Sequence, residues 1–382
     1  MTAFASALSR HPIAAQAVGE AAGEILEGLD GQGCDLAICF ASTHHVGAFE
    51  DITPALRNIL EPAVLVGGTA VAVVGGSHEV EEEPALTVFA ARFDDATLTP
   101  VTLRIQETPD GTALAGWPVL DHAPASLLLF ADPFTFPVDA FLQRVNQDLP
   151  DLQIIGGLAS AAGSPGGNRL ALDDRVVDEG AVGVFVDGGI EVRTIVSQGC
   201  RPIGRPYVVT RAEGNLIAEL GGKPAIERLQ ELAGAASEEE RELLRTGLHV
   251  GLVVDEHKAE FERGDFLVRN LLGADESSGA LAIGEHVSVG QTVQFHVRDA
   301  GAADEDLREL LTGVDVDADA ALLFTCNGRG RHLFTMPDHD AGMVERLLGP
   351  IPLAGAFCAG EIGPVGGRNF LHGFTASLAL FS

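Results

Sequence analysis

A four-part pattern recurs along this chain and restricts its fold more than any other feature. Each copy begins with an apolar strand, continues through a polar loop and an amphipathic helix, and ends with a short strand, a Gly-Gly turn and a closing strand. The predicted first strands are Asp35–Ala41, Ser126–Ala131 and Ala321–Thr325. The predicted closing strands are Ala85–Phe93, Ala181–Val186 and Gly373–Phe381. The chain is therefore predicted to contain repeated β-α-β-β units.

Small residues mark the same places in each unit. The small pairs before the middle strands are Gly67-Gly68, Gly156-Gly157 and Ala354-Gly355, and the turns hold Gly75-Gly76, Gly166-Gly167 and Gly366-Gly367. Glycine supplies positive φ in tight turns and lets another backbone pass closely in a strand. By this alignment Phe40, Phe130 and Phe324 correspond. A degenerate fourth copy is expected in Leu248–Arg298, with Val250–Val254 as first strand and Leu281–Ile283 and Thr292–Val297 as its hairpin.

These patterns predict an α+β fold in which duplicated β-α-β-β units form mainly antiparallel sheets with helices on the outer faces, a multilayer sandwich. Residues 35–93 and 321–381 are expected to share one strand order. Two domains are expected, residues 20–220 and 222–382. The connector Gly188–Gly222 is expected to be a loop or boundary because it holds Pro202 and Pro206. Ser237 and Glu240 have the spacing of a capping box for a helix.

Composition excludes several classes of function. The formal charge of −31 argues against nucleic acid as a partner, because phosphate binding needs clustered Lys and Arg. The longest apolar run, Ala63–Val74, is shorter than the ~20 residues a membrane-spanning helix needs, so no membrane insertion is expected. The five cysteines are widely spaced, and no signal peptide pattern precedes them. A cytoplasmic protein with reduced thiols is therefore expected.

Two glycine-rich loops near the end of the chain carry the candidate ligand-binding side chains. Ligands favour the carboxyl ends of strands in α/β sheets. Arg329 lies between two glycines, where its guanidinium can approach a carboxylate bidentately. Glu361 is a lone acid in an apolar stretch and can accept an ammonium group. Together they predict a pocket for a small zwitterion such as an amino acid. The predicted ligand-binding residues are Cys326, Asn327, Gly328, Arg329, Gly330, Cys358, Gly360, Glu361, Asn369 and His372.

Other roles for the same residues remain open. Arg329 can instead form a structural ion pair, for example with Glu361, and Glu361 can brace its loop by accepting backbone N–H groups. Cys326 or Cys358 would serve as a nucleophile in transfer or hydrolysis only with a nearby base such as a histidine. Buried cysteine is otherwise a common apolar filler. An enzyme and a protein-interaction scaffold are therefore the alternative hypotheses, and no catalytic residue is assigned.

No metal or cofactor is expected. The segment His78–Glu83 is interpreted as an acidic, solvent-exposed turn, and His44 and His45 lack the spacing of a zinc motif. No P-loop pattern is present, and no G-x-G-x-x-G motif leads into a helix.

The motifs also resemble a known family. CNGRG, GAFCAGEIGP and NFLHGFTASLALF are similar to the C-terminal half of FIST-domain proteins, and CDLAICFAS, LVGGTAVAVVGG and PALTVFAARF are similar to the N-terminal half. The likeness covers roughly residues 20–382. It implies a stand-alone intracellular sensory module that binds small ligands such as amino acids and signals through an unidentified protein or self-association. It implies no established catalytic residues. Ala356, Cys358 and Ala359 stand where the family often has bulkier or aromatic residues.

Overall fold

The computed structural model describes residues 2–108, 111–120, 124–258 and 260–382. The chain forms two compact units. The larger unit comprises Met1–Val196, Leu307–Leu371 and Thr375–Ser382, and the smaller comprises Ser197–Asp306 and His372–Phe374.

The elements follow one another in chain order. The first strands are β1 (Ala3–Ser9), β2 (Leu36–Ser42), β3 (Val64–Ala70), β4 (Ala72–Gly75), β5 (His78–Glu81), β6 (Leu86–Arg92), β7 (Thr97–Thr108), β8 (Gly111–Ala115), β9 (Ser126–Ala131), β10 (Gln153–Leu158), β11 (Leu170–Leu172), β12 (Arg175–Val177), β13 (Ala181–Asp187) and β14 (Val192–Gln198). The later strands are β15 (Cys200–Glu213), β16 (Leu216–Leu220), β17 (Lys223–Pro224), β18 (Leu248–Val253), β19 (Phe266–Asp275), β20 (Ala280–Ile283), β21 (Thr292–Arg298), β22 (Ala320–Cys326), β23 (Leu353–Cys358), β24 (Glu361–Val365), β25 (Arg368–His372) and β26 (Thr375–Phe381). The α-helices are α1 (Ala14–Gly28), α2 (Phe49–Leu60), α3 (Val138–Asp148), α4 (Ala225–Ala235), α5 (Glu238–Thr246), α6 (Ala300–Thr312) and α7 (His339–Leu348). Short 3₁₀ helices lie at Thr43–Ala48, Arg263–Asp265 and Gly330–His332.

Three sheets of the larger unit share one arrangement. Their strand orders are β1-β6-β2-β3-β11-β12, β8-β7-β13-β9-β10-β24-β25 and β14-β26-β22-β23-β4-β5. In each, the first strand of a β-α-β-β unit lies between the closing strand, which is antiparallel to it, and the middle strand, which is parallel. The prediction that residues 35–93 and 321–381 share a strand order is confirmed.

The hairpins between the middle and closing strands are exchanged among the three repeated units of the larger compact unit. The β4–β5 hairpin of the first unit pairs with β23 of the third. The β24–β25 hairpin of the third pairs with β10 of the second, and the β11–β12 hairpin of the second pairs with β3 of the first. Each unit therefore completes the sheet of another, in a closed cycle of three.

The sheets enclose a common core and carry helices on their outer faces. Helices α1 and α2 pack on the first sheet, α3 on the second, and α6 and α7 on the third. The inner faces share one apolar cluster. Within this cluster Phe40, Phe130 and Phe324 make mutual ring contacts. The centroid separations are 5.1 Å for Phe40–Phe130, 6.0 Å for Phe40–Phe324 and 5.6 Å for Phe130–Phe324. The predicted α+β multilayer sandwich with helices on the outer faces is confirmed. Each repeat holds more strands than the predicted β-α-β-β unit, since the first contains β2, β3, β4, β5 and β6 with α2 between β2 and β3.

A glycine occupies the same position in each middle strand because the backbones approach too closely for a side chain. A Cβ atom would lie 1.9 Å from the Cys39 carbonyl oxygen at Gly67, 1.9 Å from that of Leu129 at Gly156, and 1.8 Å from that of Leu323 at Gly355. The matching small pair of the third unit is therefore Gly355-Ala356, one residue later than the predicted Ala354-Gly355.

The smaller unit is a single sheet with the order β15-β21-β18-β19-β20-β16-β17. The prediction of a loop within Gly188–Gly222 is wrong, because this segment contains β14, β15 and β16, whose backbone groups pair in sheets. The alternative prediction of a boundary in this connector is confirmed, since the first segment of the larger unit ends at Val196 and the smaller unit begins at Ser197. The predicted fourth hairpin is also wrong. Among the described residues β21 pairs with β18, and β20 pairs with β19, which separates β20 from β18.

The capping box at Ser237 is confirmed. The Ser237 N–H donates to Glu240 Oε2 at 2.9 Å, and the Glu240 N–H donates to Ser237 Oγ at 3.1 Å.

In the described part of the chain no helix combines the length and hydrophobicity that crossing a membrane requires. The proposed domain limits, residues 20–220 and 222–382, stay a prediction.

Candidate functional site: a buried arginine, acid and thiol cluster

The parallel strands β22 and β23 bring two predicted site residues to one sheet edge. Cys326 and Cys358 are paired in register at the carboxyl ends of these strands. The loop that follows β22 is held tightly, because the Asn327 N–H donates to the Cys358 carbonyl at 2.9 Å and the Arg329 N–H donates to the Cys326 carbonyl at 2.8 Å. Gly330 then has φ +52°, the left-handed region that glycine adopts without strain.

The Arg329 side chain turns inward and is completely buried. Its Nε and Nη2 atoms donate to the two carboxylate oxygens of Asp340, both at 2.7 Å. The guanidinium carbon also lies 5.2 Å from the centroid of the Phe334 ring. The ion-pair partner of Arg329 is therefore Asp340, in the first turn of α7, and not Glu361. The third nitrogen, Nη1, has no hydrogen-bond partner among the described residues.

Asp340 is the anionic centre of this cluster. It also accepts a hydrogen bond from Thr325 Oγ1 at 2.8 Å, and its Oδ1 lies 2.9 Å from His339 Nδ1. Burial alone would raise the pKa of Asp340, but the Arg329 charge and the hydrogen bonds with Arg329 and His339 hold it well below its usual range.

Glu79 adds a second buried carboxylate from the exchanged hairpin of the first unit. Its Oε1 accepts the backbone N–H groups of Asp340 and Ala341, at 2.8 and 2.9 Å, and so caps α7. Burial, then the neighbouring Asp340 charge, raises the pKa of Glu79 above its ordinary value. Its Oε2 atom has no hydrogen-bond partner in the described structure. The interpretation of His78–Glu83 as a solvent-exposed turn is therefore wrong at Glu79, since β5 packs against the start of α7.

Glu361 is hydrogen-bonded with the Cys326 side chain and is also completely buried. Its Oε2 accepts the Thr375 N–H at 3.1 Å and the Thr375 hydroxyl at 2.8 Å. Burial raises the pKa of Glu361 to about 8, although Thr375, the Arg329 charge and a hydrogen bond with the Cys326 side chain each act to lower it. The Oε1 atom has no nitrogen or oxygen donor within the described residues.

Cys358 lines a small cavity where the three repeated units of the larger compact unit meet. The cavity has a volume of about 10 Å³, close to the space of one water molecule. Corresponding segments of the three middle strands form its wall: Gly68–Ala70, Gly157–Ala159 and Ala356–Cys358, together with Phe40, Phe130 and Leu170. Burial, together with the nearby Glu361 carboxylate, raises the pKa of the Cys358 thiol well above its ordinary value.

The remaining predicted residues have other positions. Asn327 is exposed, and Gly360 is buried where its carbonyl accepts the Leu158 N–H at 2.9 Å. Asn369 lies near the opposite end of β10, where its side chain binds the Ile154 N–H at 2.8 Å. His372 falls within the smaller unit. The structure thus brings together Cys326, Arg329, Cys358 and Glu361 of the predicted set, but not Asn369.

Two acids of the cluster, Asp340 and Glu79, are missing from the predicted set. Asp340 stands beside His339 at a helix start, and Glu79 stands in a run of acids. In the sequence both resemble ordinary solvent-facing charges, so only the contact across 261 positions between Glu79 and Asp340 identifies them.

The fold and cluster define an α+β protein whose strand-end loops enclose a buried charged site. Comparison with family models finds the FIST N domain over residues 35–223 and the FIST C domain over residues 225–364. The chain belongs to the FIST family. FIST domains are generally sensory signal-transduction modules that bind small ligands.

Mycobacterial relatives resemble nearly the whole chain. An uncharacterized protein of Mycobacterium bovis is 46% identical over 376 residues, which cover 97% of this chain and 96% of the relative. An uncharacterized protein of Mycobacterium tuberculosis is 46% identical over 378 residues, covering 98% of each chain.

Proposed function

We propose that this protein is a sensory module that binds a small zwitterion, such as an amino acid, at the cluster around Arg329 and Glu361. The supporting observation is a set of three buried polar atoms that have no nitrogen or oxygen hydrogen-bond partner in the described part of the chain: Arg329 Nη1, Glu361 Oε1 and Glu79 Oε2. Buried polar groups are nearly always hydrogen-bonded, so these atoms favour a polar partner. The cavity beside Cys358 holds about one water molecule, so binding of an amino acid requires the loops after β22 and β23 to move apart. Arg329 Nη1 can donate to a carboxylate, and Glu361 Oε1 can accept from an ammonium group.

The ionisation of Glu361 gives this proposal a measurable signature. Because its pKa is raised to about 8, the carboxyl is largely protonated at pH 7. An ammonium group at Oε1 favours the ionised form, so binding releases a proton. Affinity should therefore rise with pH between about 7 and 8.

The contacts of Arg329 also provide a route for a signal. Its partner Asp340 begins α7, and Glu79 links that helix start to the hairpin of the first unit. A ligand that binds the Arg329 guanidinium competes with Asp340 for it, and so alters the contacts at the start of α7. The receiver is proposed to be a separate signalling protein or a second copy of this chain, in the cytoplasm, without nucleic acid or membrane insertion.

The test is calorimetric titration of an amino-acid panel against the wild type, Glu361→Gln and Arg331→Gln, in buffers of different ionisation enthalpy. A charge-assisted hydrogen bond contributes about 1.5–3 kcal/mol, so Glu361→Gln should weaken binding roughly tenfold to a hundredfold and abolish proton release. Arg331 is an exposed arginine on the same loop, and its variant should bind like the wild type. Normal binding by a folded Glu361→Gln protein would show that the ligand site lies elsewhere.

An enzyme is the second candidate, because the Cys326 side chain contacts an acid in place of the expected histidine. If the protein catalyses cysteine-dependent transfer or hydrolysis, the wild type should form a product and the Cys326→Ser variant should not. An interaction scaffold becomes the better account if no small molecule changes the thermal midpoint and no turnover occurs.

A further inference from the structure

We propose that Cys326 and Cys358 form a peroxide-reactive thiol pair, in which Cys326 attacks hydrogen peroxide and Cys358 closes a disulfide with it. This reaction goes beyond the proposed ligand binding and requires no bound ligand. It would make the same strand edge a site of covalent modification.

The strand register places the two cysteines for such a bond. Cys326 and Cys358 are directly paired on parallel neighbours, and neighbouring strands lie about 4.8 Å apart. A disulfide takes Cα separations of about 4.4–6.8 Å. Paired residues share a face, and Phe324, two residues before Cys326, lies in the same inner cluster as Cys358. Both positions end their strands, where the backbone adjusts more easily than in mid-sheet.

The groups around Cys326 suit a nucleophile. The Gly328 N–H donates to Cys326 Sγ at 3.5 Å, and the Arg329 guanidinium interacts electrostatically with the same sulfur. Both contacts stabilise a thiolate. The Glu361 carboxyl is hydrogen-bonded with the Cys326 side chain, and its pKa is about 8. Its ionised fraction, which grows as pH rises toward 8, can take the Cys326 proton. Cys358 has no comparable cationic neighbour within the described contacts and is the more deeply buried of the two, which suits a resolving thiol.

Cys34 is a matched internal comparison. Cys34 and Cys326 have the same exposure, 6%. The Cys34 thiol, however, lies 3.9 Å from the Leu60 carbonyl and beside Asp35. Burial, with the Asp35 charge, raises the pKa of Cys34 to about 11. The two thiols are equally exposed, but Cys326 has the Arg329 cation beside it, whereas the charge acting on Cys34 is that of Asp35. A difference in reactivity therefore reports the local chemistry.

The atoms balance over two steps. Glu361 accepts the Cys326 proton, the sulfur attacks one peroxide oxygen, and the O–O bond breaks. The departing hydroxide takes the proton back from Glu361, which leaves a sulfenic acid and water. The Cys358 sulfur then attacks Cys326 Sγ, the S–O bond breaks, and hydroxide leaves with the Cys358 proton as water. Two thiols are oxidised and one peroxide is reduced to two waters.

The experiment treats the reduced full-length protein with stoichiometric hydrogen peroxide, followed by intact-mass measurement and non-reducing peptide mapping. The wild type should lose the mass of two hydrogen atoms and yield a cross-linked Cys326–Cys358 peptide. Cys358→Ser should stop at a Cys326 sulfenic acid that dimedone captures. Glu361→Gln should slow the reaction on the order of a hundredfold, and Cys34→Ser should react like the wild type.

A measurement on the wild type alone keeps the test decisive if a variant fails to fold. Peptide mapping after brief peroxide and dimedone treatment compares Cys326 with Cys34 in one molecule. Equal labelling, or oxidation without the Cys326–Cys358 link, would overturn the inference. Ligand titrations are performed in reductant and the peroxide test without ligand, so failure of one proposal leaves the other standing.

Discussion

The Arg329–Asp340 pair is the residue-scale feature with the largest expected effect on stability. Both side chains are almost fully excluded from solvent, where the desolvation of two charges opposes their attraction. The bidentate geometry, the Thr325 hydroxyl and the Phe334 ring compensate for part of that cost. Removing one partner would leave the other charge buried and unpaired.

Asp340→Asn should therefore lower the free energy of unfolding by about 3–5 kcal/mol, measured by urea denaturation at pH 7. The matched control is Asp148→Asn, which removes the carboxylate from the exposed pair that Asp148 forms with Arg144. That change should cost less than about 1 kcal/mol. Similar losses for the two variants would mean that Arg329 does not depend on Asp340.

Glu361 should make stability depend on pH in a defined direction. Burial raises its pKa in the folded protein from 4.5 to about 8, so the folded state binds more protons than the unfolded state between these values. The stabilising contribution is fully present below about pH 4.5 and is lost as pH rises through 8.

The free energy of unfolding should thus fall between pH 5 and 8 more steeply in the wild type than in Glu361→Gln. The measurement is urea denaturation of both proteins at several pH values in that window. Because Glu79 also has a raised pKa, some slope should remain in the variant. Parallel curves for the two proteins would show that Glu361 is ionised in the folded state.

At the element scale, the middle strands depend on one glycine each. Gly67, Gly156 and Gly355 lie against the carbonyl oxygen of the residue paired with them. A methyl group there must displace backbone in a sheet buried on both faces. The added methyl group destabilises both paired strands, because neither strand can move away without breaking its backbone hydrogen bonds to its neighbours.

Gly67→Ala should lower the free energy of unfolding by about 3 kcal/mol or more, at the upper end of single-site effects. Gly19→Ala is the control, since Gly19 is exposed in α1 and an added Cβ atom would have no neighbour within 4 Å; it should stabilise the protein by about 0.5–1 kcal/mol. Both are measured by chemical denaturation. A Gly67→Ala protein as stable as the wild type would mean that the two strands separate at little cost.

The sequence predicts these elements better than it predicts their partners. Apolar strands and glycine turns are local signals, so the strands of each unit and the Ser237 capping box follow from pattern. A hairpin has the same sequence pattern whichever sheet it joins, so no local pattern indicates that β4–β5 pairs with β23. Likewise, Arg329 and Glu361 stand out as lone charges among glycines, whereas Asp340 and Glu79 become visible only through their contacts.

At the scale of the larger unit, the exchanged hairpins make each sheet depend on another. The edge of β3 is covered by β11–β12 from the second unit, and the edge of β23 is covered by β4–β5 from the first. Glu79 adds a polar link from β5 to α7. Opening one sheet therefore exposes the edge of another, which favours cooperative opening of all three.

Hydrogen exchange should accordingly give similar opening free energies for β2, β9 and β22, the first strands of the three units. Gly67→Ala, whose clash lies in the first sheet alone, should lower all three values by a similar amount, because the first sheet cannot open without releasing the β4–β5 and β11–β12 hairpins. The measurement is mass-spectrometric exchange of the wild type and variant under native conditions, with Gly19→Ala as the control that leaves the pattern unchanged. Faster exchange confined to β2, β3 and β6 would show that the units open independently, and that the hairpin exchange fixes their geometry without coupling their stability.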